Sequence, residues 1–203
     1  ILTDIRKKIF LRDEKYKFED RNFLISIAEQ CWLNEYVWLI NNEERKKIKF
    51  LKNKIENSSV IDEQDVILLG CYISLNSSKI ISNKLINYVS DNLLFNDLIK
   101  LQIKEPKIES DLKRKINSLG KISNTVSKKV REQYEENPYP RWRYCNQLSS
   151  IDFNGDLNFQ IRPNKIDLKK DEHDLEILLA GCGTGKHLFS VRKYKNSNVL
   201  AVD

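Results

Sequence analysis

The chain contains no methionine, only two histidines and four prolines, and no run of 18 or more apolar residues. The last absence excludes a helical membrane span. No charged-then-apolar leader with a small-residue cleavage site opens the chain, so no secretory signal is expected. A start at Ile1 without methionine, and an end at the tip of an expected sheet strand, point to an internal piece of a longer protein. The histidines, His173 and His187, stand alone, and Cys31, Cys71, Cys145 and Cys182 are far apart with no C-x-x-C pair. Structural zinc sites and disulfide frameworks need tighter or paired spacing, so no metal site is expected. Three of the four cysteines have apolar or tight-turn neighbours, where the side chain acts as a small hydrophobe. A reduced, intracellular and cytoplasmic setting is the expectation.

What is present is ordinary globular composition: 203 residues, 40% hydrophobic and 32% charged, with a net charge of +6. Such a length permits one or two domains. The positive excess has two readings, an electrostatic footprint for an anionic partner or a general bias toward lysine. The lysines are scattered, and pairs such as Lys7-Lys8 and Lys46-Lys47 alternate with acids, as solvated helix faces do. A nucleic-acid partner is therefore disfavoured.

Residues 1–120 read as a helical N-terminal region. Phe23, Leu24, Ile27, Ala28, Cys31 and Trp32, continued by Val37 and Trp38, recur at helical spacing up to Ile40. Ile48, Leu51 and Ile55 keep an apolar stripe along the charged run 41–57. Asp62 and Gln64 open a further segment ending at Tyr72. Helices are expected over 80–89 and from 91 to about 103, where Pro106 interrupts, and again over 107–119, closed by Gly120. No 34-residue repeat is visible, so a helical solenoid is not supported.

Residues 121–174 form a second region, with a helix whose cap is Ser123 or Asn124 and whose face is Val126, Val130 and Tyr134. That helix ends near Glu136, because Asn137 precedes Pro138. A rigid segment, Asn137-Pro138-Tyr139-Pro140-Arg141-Trp142, follows. The rest reads as a linker, with a short strand expected over 157–161.

Residues 175–203 carry the chemistry. Leu175 to Ala180 is apolar apart from Glu176, as a strand buried on both faces requires. Gly181, Cys182, Gly183, Thr184 and Gly185 make a glycine-rich turn. A helix over 186–195 and a strand over 199–202 come next, and Asp203 stands eighteen positions after Gly185. An acid about that far along can accept both hydroxyls of a ribose. The spacing is G-x-G-x-G, and Lys186 occupies the place where a dinucleotide turn carries its third small residue. That departure argues against NAD or FAD and favours an adenosyl ligand without a diphosphate. The competing reading is a turn that serves only strand-to-helix packing, with Asp203 a coincidence.

Ile177 to Gly185, together with Val199-Leu200-Ala201-Val202-Asp203, resembles the first motif of class I S-adenosylmethionine-dependent methyltransferases. Val130 to Trp142 resembles a segment of bacterial methyltransferases that often carry tetratricopeptide repeats before the catalytic domain. Cys31 to Val37 and Leu69-Gly70-Cys71-Tyr72 resemble the helical region of those proteins, so the likeness spans about 23–203. The resemblance implies a mainly α N-terminal region followed by the first βαβ unit of an α/β Rossmann-like methyltransferase domain, with most of the sheet missing. It implies S-adenosyl-L-methionine as cofactor, bound by Gly181, Cys182, Gly183, Thr184, Gly185 and Asp203. The family's later motifs are absent here, so no catalytic residue is assigned, and these residues alone are expected to be inactive. The methyl acceptor, a protein or a small molecule, is unspecified.

Tyr134, Asn137, Tyr139 and Arg141 are candidates for a lid over the crevice or for contacts to substrate. The alternative is a structural clasp in which Tyr134 and Trp142 anchor a core. Asn137-Pro138-Tyr139-Pro140 is also a scrambled form of the N-P-P-Y element of amino-group nucleic-acid methyltransferases, a weaker reading. Asn34 and Glu35 have a substrate-reaching reading and a helix-end reading; the second is favoured. Another class of function fits as well: a helical protein-interaction module, with a protein partner, fused to a non-catalytic nucleoside-binding domain.

Overall fold

A computed structural model describes residues 2–12, 20–117, 120, 122–136, 138, 141–144, 149–166 and 175–203. The chain divides into two units, Ile1–Lys121 and Ile122–Asp203. The described residues are mainly helical, with two short parallel strands. No helix among them is long and apolar enough to cross a membrane.

The first unit contains α1 (Leu2–Phe10), α2 (Arg21–Leu33), α3 (Asn42–Asn57), α4 (Glu63–Gly70), α5 (Lys79–Leu85), α6 (Leu93–Ile99) and α7 (Glu105–Lys113). Local signals start several of them. Glu44 N–H donates to Asn41 Oδ1 and Asn41 N–H to Glu44 Oε2, both at 2.8 Å, a reciprocal capping box that opens α3. Asp20, Asp62 and Asn92 cap α2, α4 and α6 with their side-chain oxygens. Leu24 and Ala28 of α2, Leu51 and Ile55 of α3, Val66 and Leu69 of α4 and Phe95 of α6 meet in one buried core.

The helical period seen around Phe23 does not carry through to Ile40. Helix α2 stops at Leu33, and Glu35 and Tyr36 take φ of 52° and 53°. Two consecutive left-handed residues are costly for any side chain but glycine, and tertiary contacts hold them. Tyr36 O–H lies 3.3 Å from both the Gly70 carbonyl and Gln102 Oε1. Gln102, fully buried, donates to the Gly70 and Ala28 carbonyls and accepts from Leu75 N–H at 3.2 Å. Likewise α5 ends at Leu85 rather than Val89, and an Asn96 clamp on both backbone groups of Ser90 closes the turn that follows.

Pro106 does not interrupt the helix either. The backbone widens to a π-turn over Lys100–Lys104, in which Glu105 N–H reaches the Lys100 carbonyl, and α7 continues through the proline. Proline has no N–H to offer and its ring would strike the carbonyl four residues back, so the wider turn relieves both problems.

Buried charge completes this unit. Arg6 and Glu44 are each 2% exposed and lie 4.0 Å apart. The Arg6 guanidinium sits 4.0 Å above the Tyr72 ring, and Tyr72 O–H donates to Glu44 Oε1 at 2.7 Å. Burial, and then this bond to Glu44, push the Tyr72 phenol far above its ordinary range.

The second unit contains α8 (Thr125–Glu136), α9 (Phe153–Gln160), β1 (Leu175–Ala180), α10 (Lys186–Val191) and β2 (Ser197–Val202). Asn124 is the cap of α8, accepting from Val126 and Ser127 N–H. The expected strand over 157–161 is instead α9. Asp152 caps it by accepting from Gly155 N–H at 2.9 Å, and Gln160 reaches back one turn to Asp156 at 2.8 Å. Strands β1 and β2 are parallel, with Ile177 opposite Val199 and Ala180 opposite Val202, and α10 makes the crossover. β1 is not buried on both faces: half-buried Leu175, Ile177 and Leu179 alternate with exposed Glu176, Leu178 and Ala180. Leu178 and its partner Leu200 are 64% and 63% exposed.

Candidate functional site

The site is the turn between β1 and α10, built by the strand ends. Because β1 and β2 are adjacent and parallel, their C-terminal tips end side by side. The Val202 carbonyl accepts from Gly181 N–H at 2.7 Å and from Cys182 N–H at 3.1 Å, tying the start of the turn to the end of β2. One residue further, Asp203 Oδ1 accepts from Gly183 N–H at 2.9 Å. The carboxylate therefore stands at the mouth of the turn, with its second oxygen available to another donor.

The glycines are required by backbone shape. Gly183 has φ of 50° and Gly185 has φ of 79°, a region that other residues enter at a cost. Among the described residues nothing lies within 4 Å of a Cβ placed on Gly181 or Gly183, so none of them packs against these two positions. At Gly185 a Cβ would approach Leu188 Cδ1 to 3.3 Å, so packing adds to the dihedral requirement there.

An upstream side chain reaches this turn. Trp142 Nε1–H donates to the Thr184 carbonyl at 3.0 Å, and the indole meets the Phe189 ring edge-to-face at 4.7 Å. The segment that contains Trp142 is thus clasped to the glycine turn through that residue. Tyr134, the other expected anchor, is 61% exposed on α8, and its face partners Val126 and Val130 are exposed too. Arg141 is half-buried and has an interaction partner. Asn137 and Tyr139 lie outside the described residues, as do Cys145 and His173. His187 is exposed on α10. Of the residues singled out, the structure thus gathers Gly181, Cys182, Gly183, Thr184, Gly185 and Asp203.

Sequence reasoning missed a polar cluster that anchors the chain just before β2, at the end of the strand pair opposite the turn. Ile151 bridges to Tyr194, with Ile151 N–H donating to the Lys193 carbonyl at 2.8 Å. Asp156 Oδ2 accepts from Tyr194 O–H at 2.7 Å, from Lys193 Nζ at 2.9 Å and from Gln160. No local signal marks this cluster, since 37 residues separate Asp156 from Lys193. The Lys193 ammonium, then the Tyr194 hydroxyl, hold the Asp156 carboxyl below its ordinary value. A depressed carboxylate contributes stability that is present above its unfolded value and is lost as pH falls through the folded one. Asp156→Asn is therefore expected to lower the melting temperature at pH 7, with the difference from wild type shrinking as pH falls below about 4. A thermal melt series across pH checks this; a constant difference at all pH values would refute it.

The first unit has a groove of about 890 Å³, lined by Arg21, Val60, Glu63, Tyr88, Asp91 and Leu93 among others. Within it Glu63 pairs with Arg21 at 3.5 Å and accepts from Tyr88 O–H at 3.0 Å. Among the described residues no group of three or more histidine, cysteine or acidic side chains could hold a metal ion. No protein-family model, no curated protein and no solved structure matches this chain.

Proposed function

We propose that the second unit holds the nucleoside of S-adenosylmethionine, as the opening βαβ of a Rossmann-like methyltransferase domain. The observation that carries this reading is the hydrogen bond from Gly183 N–H to Asp203 Oδ1 at 2.9 Å, at the shared end of two parallel strands. It fixes a carboxylate at the crevice mouth where ribose hydroxyls are bound in open α/β sheets. Lys186 stands where a dinucleotide turn carries the third small residue that lets its helix pack closely on the strand, a departure that supports an adenosyl ligand over a dinucleotide.

The bound cofactor would supply an electrophilic methyl group on a sulfonium. The residues of this chain bind and orient. Asp203 would accept from the ribose hydroxyls, and Gly181 and Gly183, against which none of the described residues packs, would leave room for the ligand. The Trp142 clasp holds the Thr184 carbonyl, and with it the turn's conformation. Methyl transfer is an in-line displacement, so alignment in a desolvated pocket is the main demand on the protein. The acceptor would be a protein or a small molecule.

Calorimetric titration of the protein carrying this sequence with S-adenosylhomocysteine and with NAD tests the reading. Binding of the first and none of the second is expected; the reverse order would overturn it. Trp142→Phe keeps the ring packing but removes one neutral hydrogen bond, a loss of about 1 kcal/mol. It is expected to weaken S-adenosylhomocysteine binding by roughly fivefold. Unchanged affinity would show that the clasp does not shape the turn.

A further inference from the structure

Two thiols of the helical unit stand together with no role in the reading above. Cys31, on α2, is wholly buried, and Cys71, at the end of α4, is 2% exposed. The two thiols interact with each other, and the Arg6 charge acts on both. The helices approach closely at this point. Cys71 Sγ lies 3.9 Å from the Leu24 carbonyl, and a Cβ on Gly70 would sit 3.7 Å from the Ala28 Cβ. Arg6 Nη1 donates to the Cys71 carbonyl at 3.4 Å. Cys31 and Cys71 are both free thiols in this structure.

We propose that Cys31 and Cys71 are an oxidative modification site, a buried dithiol beside Arg6 that a peroxide closes to a disulfide joining α2 to the end of α4. The Cys71 thiol and the Arg6 charge hold Cys31 below the usual thiol value against the opposing effect of burial. Pairing with Cys31 and burial push Cys71 well above it. Cys31 thus gives up its proton more readily than Cys71, the asymmetry that suits an attacking and a resolving sulfur.

The chemistry balances with hydrogen peroxide as oxidant. The Cys31 thiolate attacks one peroxide oxygen, the O–O bond breaks, and the departing hydroxide takes up the proton that Cys31 gave away. Cys71 then attacks the sulfenic sulfur; the S–S bond forms, the S–O bond breaks, and the hydroxide leaves as water with the Cys71 proton. Two electrons pass from the two thiols to one peroxide, which ends as two waters. Hydrogen peroxide is close to water in size, and local opening fluctuations of the helical unit admit it.

The test treats the native protein with hydrogen peroxide, blocks remaining thiols with iodoacetamide in denaturant, and mass-analyses the unreduced peptides. The expected product is a joined pair of peptides carrying Cys31 and Cys71, lighter than the two reduced peptides by two hydrogens and separated by dithiothreitol. Iodoacetamide on both Cys31 and Cys71 at a peroxide dose that oxidises Cys182 would overturn the proposal. So would a disulfide joining Cys31 to Cys145 or Cys182. A second arm uses dimedone, which traps sulfenic acid. At an exposure long enough for the wild type to form the disulfide, Cys71→Ala is expected to carry severalfold more dimedone adduct at Cys31, because the sulfenic acid, though formed more slowly without the Cys71 thiol, has nothing to resolve it. Equal adduct in both proteins sinks the idea; if the variant fails to fold, the wild-type peptide analysis decides alone.

Discussion

Replacing Asp203 by alanine is expected to weaken S-adenosylhomocysteine binding roughly 10- to 150-fold, the equivalent of losing a charge-assisted interaction of about 1.5–3 kcal/mol. Two effects are combined in that number. The carboxylate would lose its bonds to the ribose hydroxyls, and Gly183 N–H would lose the acceptor now 2.9 Å away. Asp203→Asn separates them, since an amide oxygen can still accept from Gly183 while the charge is gone. The expected pattern is an asparagine variant that keeps the melting temperature yet loses most of the affinity. Calorimetry and a thermal melt on the same samples read both. Wild-type affinity in the alanine variant would mean that the carboxylate only braces the turn, and the cofactor assignment would fall.

A second large effect is expected at Arg6. Arg6→Leu leaves the Glu44 carboxylate 2% exposed with no cation beside it, and removes the guanidinium stacked on Tyr72. Breaking a buried pair by deleting one partner costs about 3–5 kcal/mol, a large share of the 5–15 kcal/mol typical of a whole domain. The opening free energy should drop by that amount for amides of α3 and α4, measured by hydrogen exchange, which reports on the helical unit without the other. Combining Arg6→Leu with Glu44→Gln should restore part of the loss, because a neutral amide oxygen still accepts from Tyr72 O–H and Asn41 N–H. A single-variant loss below about 1 kcal/mol, the scale of an exposed pair, would show that this charge is not buried in solution.

Elements whose ends carry their own signals were readable in advance. Asp62 at the start of α4 and Asn124 at the start of α8 act through interactions spanning no more than four residues, and both positions stood out in the sequence; the Asn41–Glu44 box of α3 is equally local but was not singled out there. The glycine turn was readable for the same reason: backbone angles that only glycine adopts freely leave a direct trace in residue choice. Where distant partners decide, the trace disappears. The period through Val37 and Trp38 suggested more helix, but Tyr36 turns back to bond Gly70 and Gln102, 34 and 66 residues away. The region 157–161 suggested a strand, but capping by Asp152 and anchoring of Asp156 on Lys193 and Tyr194 made it a helix.

The amino-acid order alone determined the helical character of residues 20–113, the βαβ order of 175–203 and the identity of the turn residues, because each depends on near neighbours along the chain. Tertiary structure decided that Asp203 meets Gly183, that Trp142 clasps Thr184 and that Arg6 enters the core beside Cys31 and Cys71. Those contacts join positions 20 to 65 residues apart. Their energy depends on burial and on the exclusion of water, which only the packed molecule supplies.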